Sequence, residues 1–139
     1  MKYKINSYQG IGKIKFGMNK EEISNLLGSN NEEIVRTKGS NPVDVYESLG
    51  LYVYYNNDNR CVAIELATPC SPLFEGHDLL NTSFIKTVKY LKKYDPNIEI
   101  NNDGFNSKKL GIGGYCPRED DNEKLESIIC FKKDYYDEK

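Results

Sequence analysis

The sequence predicts an α+β fold: a mostly antiparallel sheet with two helices packed on one face and the other face turned to water. Three observations carry that prediction. Apolar periodicity is helical in NKEEISNLL and NTSFIKTVKYLKK and changes to two in the runs that follow each segment. Turn-forming residues separate those runs at short intervals, as in a meander. The order is the same in both halves, a helix and then three strands, as in a degenerate tandem repeat.

KYKI at the start reads as a short strand, and KIKF (13–16) alternates polar and apolar side chains as a half-buried strand does. Gly17 marks a turn. Asn19 is placed to cap a helix, Glu22 completes a capping box, and Met18 and Ile23 occupy the two positions of a hydrophobic staple. Gly28 is expected to stop this helix in the left-handed conformation, and Ile23, Leu26 and Leu27 form its apolar stripe. SNNEEIVRTKGSNP is a polar connection. VDVYES, LYVYY and RCVAIEL then read as antiparallel strands, joined at Leu49-Gly50 and through the loop NNDN.

Pro69 and Pro72 interrupt the pattern, and TPCSPLFEGHDL reads as an irregular crossing. The second helix finds its cap within Asn81 to Ser83 and buries Phe84, Val88 and Leu91. It ends at Asp95-Pro96, because the residue before a proline is pushed out of the helical region. NIEI, SKKLGIGGY and LESIICFKK supply three more strands, the last after the acidic loop PREDDNEK, and the tail DYYDEK frays. Leu110-Gly111-Ile112 falls where Leu49-Gly50-Leu51 falls, and Tyr115 where Tyr54 falls. The chain is thus read as one domain over 1–139, with pseudo-repeats 10–67 and 78–132.

Composition narrows the functional classes. A chain of 139 residues is long enough to bury a core without metal or disulfide support. Its formal net charge of -2 is too small for a sequence-independent grip on phosphates, which argues against nucleic acid as a partner. No apolar run approaches the roughly 20 residues that span a bilayer, and MKYKINSYQG has no apolar signal segment. A cytoplasmic location with no membrane partner is the expectation. Cys61, Cys70, Cys116 and Cys130 lack paired spacing, so they read as buried thiols rather than as a disulfide framework or a zinc site.

GIGKIKFG raises the question of a phosphate loop. Gly10, Gly12 and Gly17 miss the dinucleotide fingerprint, and Met18-Asn19 stand where a P-loop needs Lys and Ser or Thr. No G-x-S-x-G is present and His77 is the only histidine. The expectation is therefore no catalytic residue, no cofactor and no metal.

Strand alternation points elsewhere. It sends Leu51, Val53, Tyr55, Val62, Ile64 and Leu66 to the core and Tyr52, Tyr54, Cys61, Ala63 and Glu65 to the open face. Two readings follow: tyrosine suits a solvated strand, or it anchors a protein-binding surface, with Tyr115 as a third anchor. The acidic run at Glu119, Asp120 and Asp121 is either a solvated loop or a patch complementary to a basic partner such as a nuclease toxin.

FGMNKEEISNLLG resembles the motif, G-M/T-polar-E-E-apolar-x-x-L-L-G, of β-lactamase-inhibitor-protein-like domains and small outer-membrane assembly lipoproteins. Those domains use tandem helix-then-sheet units whose open sheet face grips another protein. The longer pattern GIGKIKFGMNKEEISNLLG, LGLYVYYNNDNRCVAIEL, PLFEGHDLL and DGFNSKKLGIGGY is similar to a bacterial family associated with toxin-immunity neighbourhoods. The resemblance implies a small binding protein, an immunity protein that occludes a cognate toxin, with Tyr52, Tyr54, Glu65, Tyr115, Glu119, Asp120 and Asp121 as partner-binding residues. The chain departs from the lipoprotein branch in having no signal peptide or lipidation cysteine. The alternatives are a hydrolase-like enzyme using His77 with Cys70 or Asp78, and an assembly adaptor sharing the same face.

Overall fold

The computed structural model describes residues 2–28, 31–34 and 41–135. It is α+β, with two helices and two mostly antiparallel sheets. A large sheet of eight strands runs in the order β10 (Glu99–Asn101), β11 (Gly104–Ser107), β12 (Ile112–Tyr115), β13 (Ser127–Phe131), β7 (Cys61–Leu66), β6 (Leu51–Tyr55), β5 (Val43–Tyr46) and β4 (Glu32–Ile34). It consists of two four-strand meanders, each preceded by a helix, α1 (Lys20–Leu27) or α2 (Phe84–Leu91), and the meanders join where β7 pairs antiparallel with β13. Each half therefore has one strand more than the three expected. β4 lies inside the polar connection, where an edge strand is free of the alternating apolar pattern. SKKLGIGGY is not one strand: a turn at 108–111 separates β11 from β12.

The halves superpose residue by residue in their pairing. Val43 opposes Tyr54 as Gly104 opposes Tyr115, and Leu51 opposes Leu66 as Ile112 opposes Cys130. Gly50 and Gly111 adopt the same left-handed conformation, at φ 71° and 70°. Each offers its carbonyl to the strand beyond, to the Ala67 and Phe131 N–H groups respectively. The helix caps match as well: Asn19 bridges to Arg60 as Ser83 bridges to Lys124. These equivalences place Glu65 opposite its own counterpart, Ile129, at the β7–β13 seam. A pseudo-two-fold axis thus passes through that pair.

α1 forms as its sequence dictates. The Asn19 side chain accepts from the Glu22 N–H at 2.9 Å and the Glu22 carboxylate accepts from the Asn19 N–H at 3.1 Å, so two orphan donors are satisfied reciprocally. Two details differ from expectation. Gly28 ends the helix at φ 90°, ψ 173°, a positive-φ extended conformation rather than the left-handed helical one. Ile23 alone is fully buried, while Leu26 is exposed, because eight residues make barely two turns and present a narrow stripe. In α2, Ser83 is the cap and Phe84, Thr87, Val88 and Leu91 are buried. That helix stops at Leu91, and the chain turns through 92–94 before Asp95-Pro96.

A second sheet of five strands runs β3 (Ile14–Lys15), β2 (Gly10–Ile11), β1 (Lys2–Asn6), β8 (Ser71–Phe74) and β9 (His77–Asp78). β1 and β8 pair in parallel, so the segment expected to be irregular crosses back as a strand. This sheet covers the middle of the large one: β2 lies against β7 and β13, and Ile5, Ile11, Ile14 and Phe74 join Ile23, Phe84, Val88 and Leu91 in one core. All four cysteines are buried and free. At the end of β6 a bulge pairs Tyr54 with Ala63 but Tyr55 with Cys61. Alternation therefore fails there: Cys61, expected on the open face, joins the central core cluster, while Val62 is buried outside that cluster. Residues 136–139, most of the tail expected to fray, lie outside the described residues, as do 29–30 and 35–40 of the polar connection.

Candidate functional site

With both helices and the small sheet on one side, the other face of the large sheet is left for contact. One cross-strand row spans it from edge to edge: Glu99, Asn106, Gly113, Ile129, Glu65, Tyr52, Val45 and Glu32, one residue per strand. Tyr54 and Tyr115 stand one step along, in equivalent positions of the two halves. The face holds an open concavity of about 770 Å³. Tyr52, Tyr54, Glu65 and Tyr115 all line it, together with Ser127, Glu126, Asp103, Gly113 and Gly114.

Glu65 is the organised centre. Tyr54 Oη donates to one of its carboxylate oxygens at 2.7 Å and Ser127 Oγ to the other at 2.6 Å, so each half contributes a hydroxyl, that of Ser127 reaching across the seam. Two charge-assisted bonds fix the rotamer and keep the carboxylate at the axis. Tyr115 differs from its counterpart: at 48% exposure it projects from the surface as a large apolar wall. At the far end of the face Phe131 packs edge-on against Tyr8 and stacks with Tyr135, while the Tyr8 hydroxyl donates to the Lys108 carbonyl. The Tyr135 phenol is pushed up by burial and by the negative charge of Glu65 nearby.

The acidic loop is elsewhere. Asp121 is held by Arg118 at 2.7 Å, and the guanidinium also donates to the Asn101 carbonyl and lies 3.6 Å from the Phe84 ring centroid. The Phe84 and Ile85 N–H groups donate to the Glu123 and Asp121 carbonyls, so this loop closes over the start of α2. Glu119 and Asp120 turn their N–H groups onto the Glu123 carboxylate. None of Glu119, Asp120 and Asp121 lines the concavity; Glu126 and Asp103 supply its rim charge instead. Gly113 was the residue least visible in the sequence, yet aligning the two halves on Tyr54 and Tyr115 sets it at the position of Tyr52.

The residues of the alternative catalytic reading are engaged separately. Cys70 is buried in the core, where desolvation pushes its thiol up to about 12, far from a reactive thiolate. Burial opposes the charge of Asp78, but hydrogen bonds from the Asn81 side chain and from the Asn81 and Leu80 N–H groups outweigh it and hold the carboxyl below its usual range. His77 lies exposed and stacked on Tyr90, with ring centroids 3.7 Å apart. Among the described residues no group of three His, Cys, Asp or Glu is placed to hold a metal ion.

Beneath α1 a polar cluster was not legible in the sequence. Asp44 is buried at 5% exposure, with Lys20 Nζ 3.9 Å from its carboxylate and 3.1 Å from Glu33. Burial lifts the Asp44 carboxyl above its ordinary range, Lys20 opposes the rise and Glu33 adds to it. The adjacent Tyr55 hydroxyl is buried without a well-formed hydrogen bond to this carboxylate and is pushed strongly up by desolvation.

Among the described residues, no helix is long and apolar enough to cross a membrane. Compared with protein-family models, with curated proteins and with solved structures, the chain finds no match in any of the three.

Proposed function

We propose that this chain is a protein-binding module, an immunity protein that neutralises a cognate bacterial toxin by seating it on the open face of the large sheet. The observation that carries the reading is the concavity itself, which gathers Tyr52, Tyr54, Tyr115 and an oriented Glu65 on a rigid platform of paired strands. Tyrosine brings large contact area with little rotamer entropy to lose, and a concave site desolvates what enters it, the setting in which interface hot spots arise. The absence of an activated nucleophile at Cys70, His77 and Asp78 favours stoichiometric binding over turnover. Because the face is built on strands rather than loops, the partner meets a surface that needs no reordering.

Co-expression with the product of the neighbouring gene tests the proposal. That product should arrest growth alone, be silenced by this chain and co-purify with it at one to one. Replacing Tyr52 and Tyr115 together by alanine should abolish protection while leaving the thermal midpoint within a few degrees. A harmless neighbour, or a toxin with which no complex forms, would sink the immunity reading.

A further inference from the structure

The two halves treat the gap between helix and outer edge strand in opposite ways. In the first, Lys20 opens α1 directly after its cap, and Glu33 and Asp44 oppose each other across β4 and β5. Lys20 Nζ reaches the Glu33 carboxylate at 3.1 Å, so an ion pair ties the helix to the edge strand. The repeat puts Phe84, Ile100 and Phe105 at those three positions. Phe84 and Phe105 are buried, but Ile100 and the neighbouring Ile85 stay 46% and 48% exposed. Both line an apolar groove of about 310 Å³, with Phe84 and Val88 at its floor. The scaffold does not require such a groove, because its other copy bridges the same place with charge.

What fits there is set by charge and by the strand alongside. Lys89 and Lys92 line the groove from α2, both exposed, and among the described residues neither forms an ion pair. Asp121, which also lines it, is held by Arg118 at 2.7 Å, so the uncompensated charge is positive. β10 ends the large sheet, and among the described residues no strand pairs with its outer side. Such an edge presents N–H and C=O groups to an incoming chain. An extended segment laid on it would turn alternate side chains into the groove, an apolar one between Ile85 and Ile100 and acidic ones two residues to either side against the lysines. A basic segment would be repelled, and a helix would fill the groove but leave the strand edge unpaired.

We infer that the groove between β10 and α2 is a second docking site, for an extended acidic segment of a partner protein that adds a strand to β10 and inserts one apolar side chain between Ile85 and Ile100. Asn101 lines the concavity while Ile100 lines the groove, so the two sites lie on opposite faces of the sheet and the second does not depend on the first.

The test is an amide-resolved NMR titration of the full chain with acetyl-Asp-Thr-Leu-Thr-Asp-amide, whose leucine and two aspartates share one face of a strand. Controls carry lysine for aspartate, or serine for leucine. Saturable shifts should centre on Ile85, Lys89 and Ile100 with a Kd on the order of 1 mM, and both controls should lose them. Methylating the peptide nitrogen of the leucine alone, or of the threonines alone, should abolish binding in one case and spare it in the other, since neighbouring residues of a strand turn their N–H groups to opposite sides. Ile100→Glu, which gives β10 the residue type of β4, should abolish binding. Should that variant fail to fold, Lys89→Glu with Lys92→Glu, both on the helix surface, should reverse the preference between acidic and basic peptides. No saturable shift, equal binding of the basic peptide, or equal tolerance of both methylations would overturn the proposal. Dimerisation through β10, or shifts caused by phosphatidylserine vesicles and not by the peptide, would overturn it in favour of a second copy or a membrane. The double alanine variant of Tyr52 and Tyr115 should bind the peptide unchanged, so the groove and the open face stand or fall separately.

Discussion

Two buried or half-buried carboxylates show how neighbours decide the sign of an effect. Asp44 has its pKa raised in the fold, so it favours folding at low pH, where both states are protonated, and detracts as pH climbs through the folded value. Asp44→Asn should therefore raise the thermal midpoint at pH 7, with the gain fading toward pH 3. Asp78 has its pKa lowered by the turn it caps, so its contribution is present above the ordinary carboxylate range and is lost on acidification. Asp78→Ala should cost about 1–2 kcal/mol at neutral pH, measured by urea denaturation, and less in acid. A midpoint for Asp44→Asn that falls at neutral pH would mean that the Lys20 contact outweighs burial. Legibility at this scale followed alternation: Tyr52 and Tyr54 could be assigned to the open face because they alternate with the aliphatic Leu51 and Val53. Gly113 could not, since a residue without a side chain contributes nothing to a periodic pattern, and Asp44 could not, since its burial comes from a helix distant in sequence.

Elements defined by local chemistry were legible and those defined by distant partners were not. The capping box of α1 and the serine cap of α2 are written within four residues, and Asn19→Ala or Ser83→Ala should each cost about 1 kcal/mol. β8 hides in TPCSPLFEGHDL because its only long pairing is parallel to β1, at the far end of the chain, and two prolines mask the strand propensity. β4 is an exposed edge strand of mixed sequence inside a polar connection, so it carries no alternating signal, whereas the other edge strand, β10, was expected from NIEI. Gly50 and Gly111 were noticed as a sequence echo, and their conformation explains it: both reverse the chain before the third strand of a meander. A side chain at Gly50 would meet the Ala67 carbonyl at 2.0 Å. Gly50→Ala should therefore exceed the roughly 1–2 kcal/mol of a left-handed alanine in a denaturant titration. Gly111→Ala, facing the softer Tyr8 ring at 2.9 Å, should cost less than Gly50→Ala.

At the scale of the molecule, the two halves share one sheet and one core, with Ile64, Leu66, Ile128 and Cys130 meeting at the seam. Such an arrangement has no internal boundary along which to come apart, so unfolding should be a single transition. Ile64→Ala should destabilise by about 2–5 kcal/mol and lower hydrogen-exchange protection in both halves together. Amides of one half exchanging while the other stays protected would contradict this. The doubled order of helix and strands was visible in the sequence. The central pairing of β7 with β13 was not, because antiparallel partners so far apart leave no turn between them to read. The axis through Glu65 and Ile129 has a further effect. A surface with true two-fold symmetry offers any asymmetric visitor two equivalent poses, turned by half a revolution, and cannot choose between them. Here the scaffold is symmetric but its decoration is not: a tyrosine on one side faces a glycine on the other, and a glutamate faces an isoleucine across the axis itself. The duplicated architecture thus carries a built-in compass, and whatever lands on it is told which way to point.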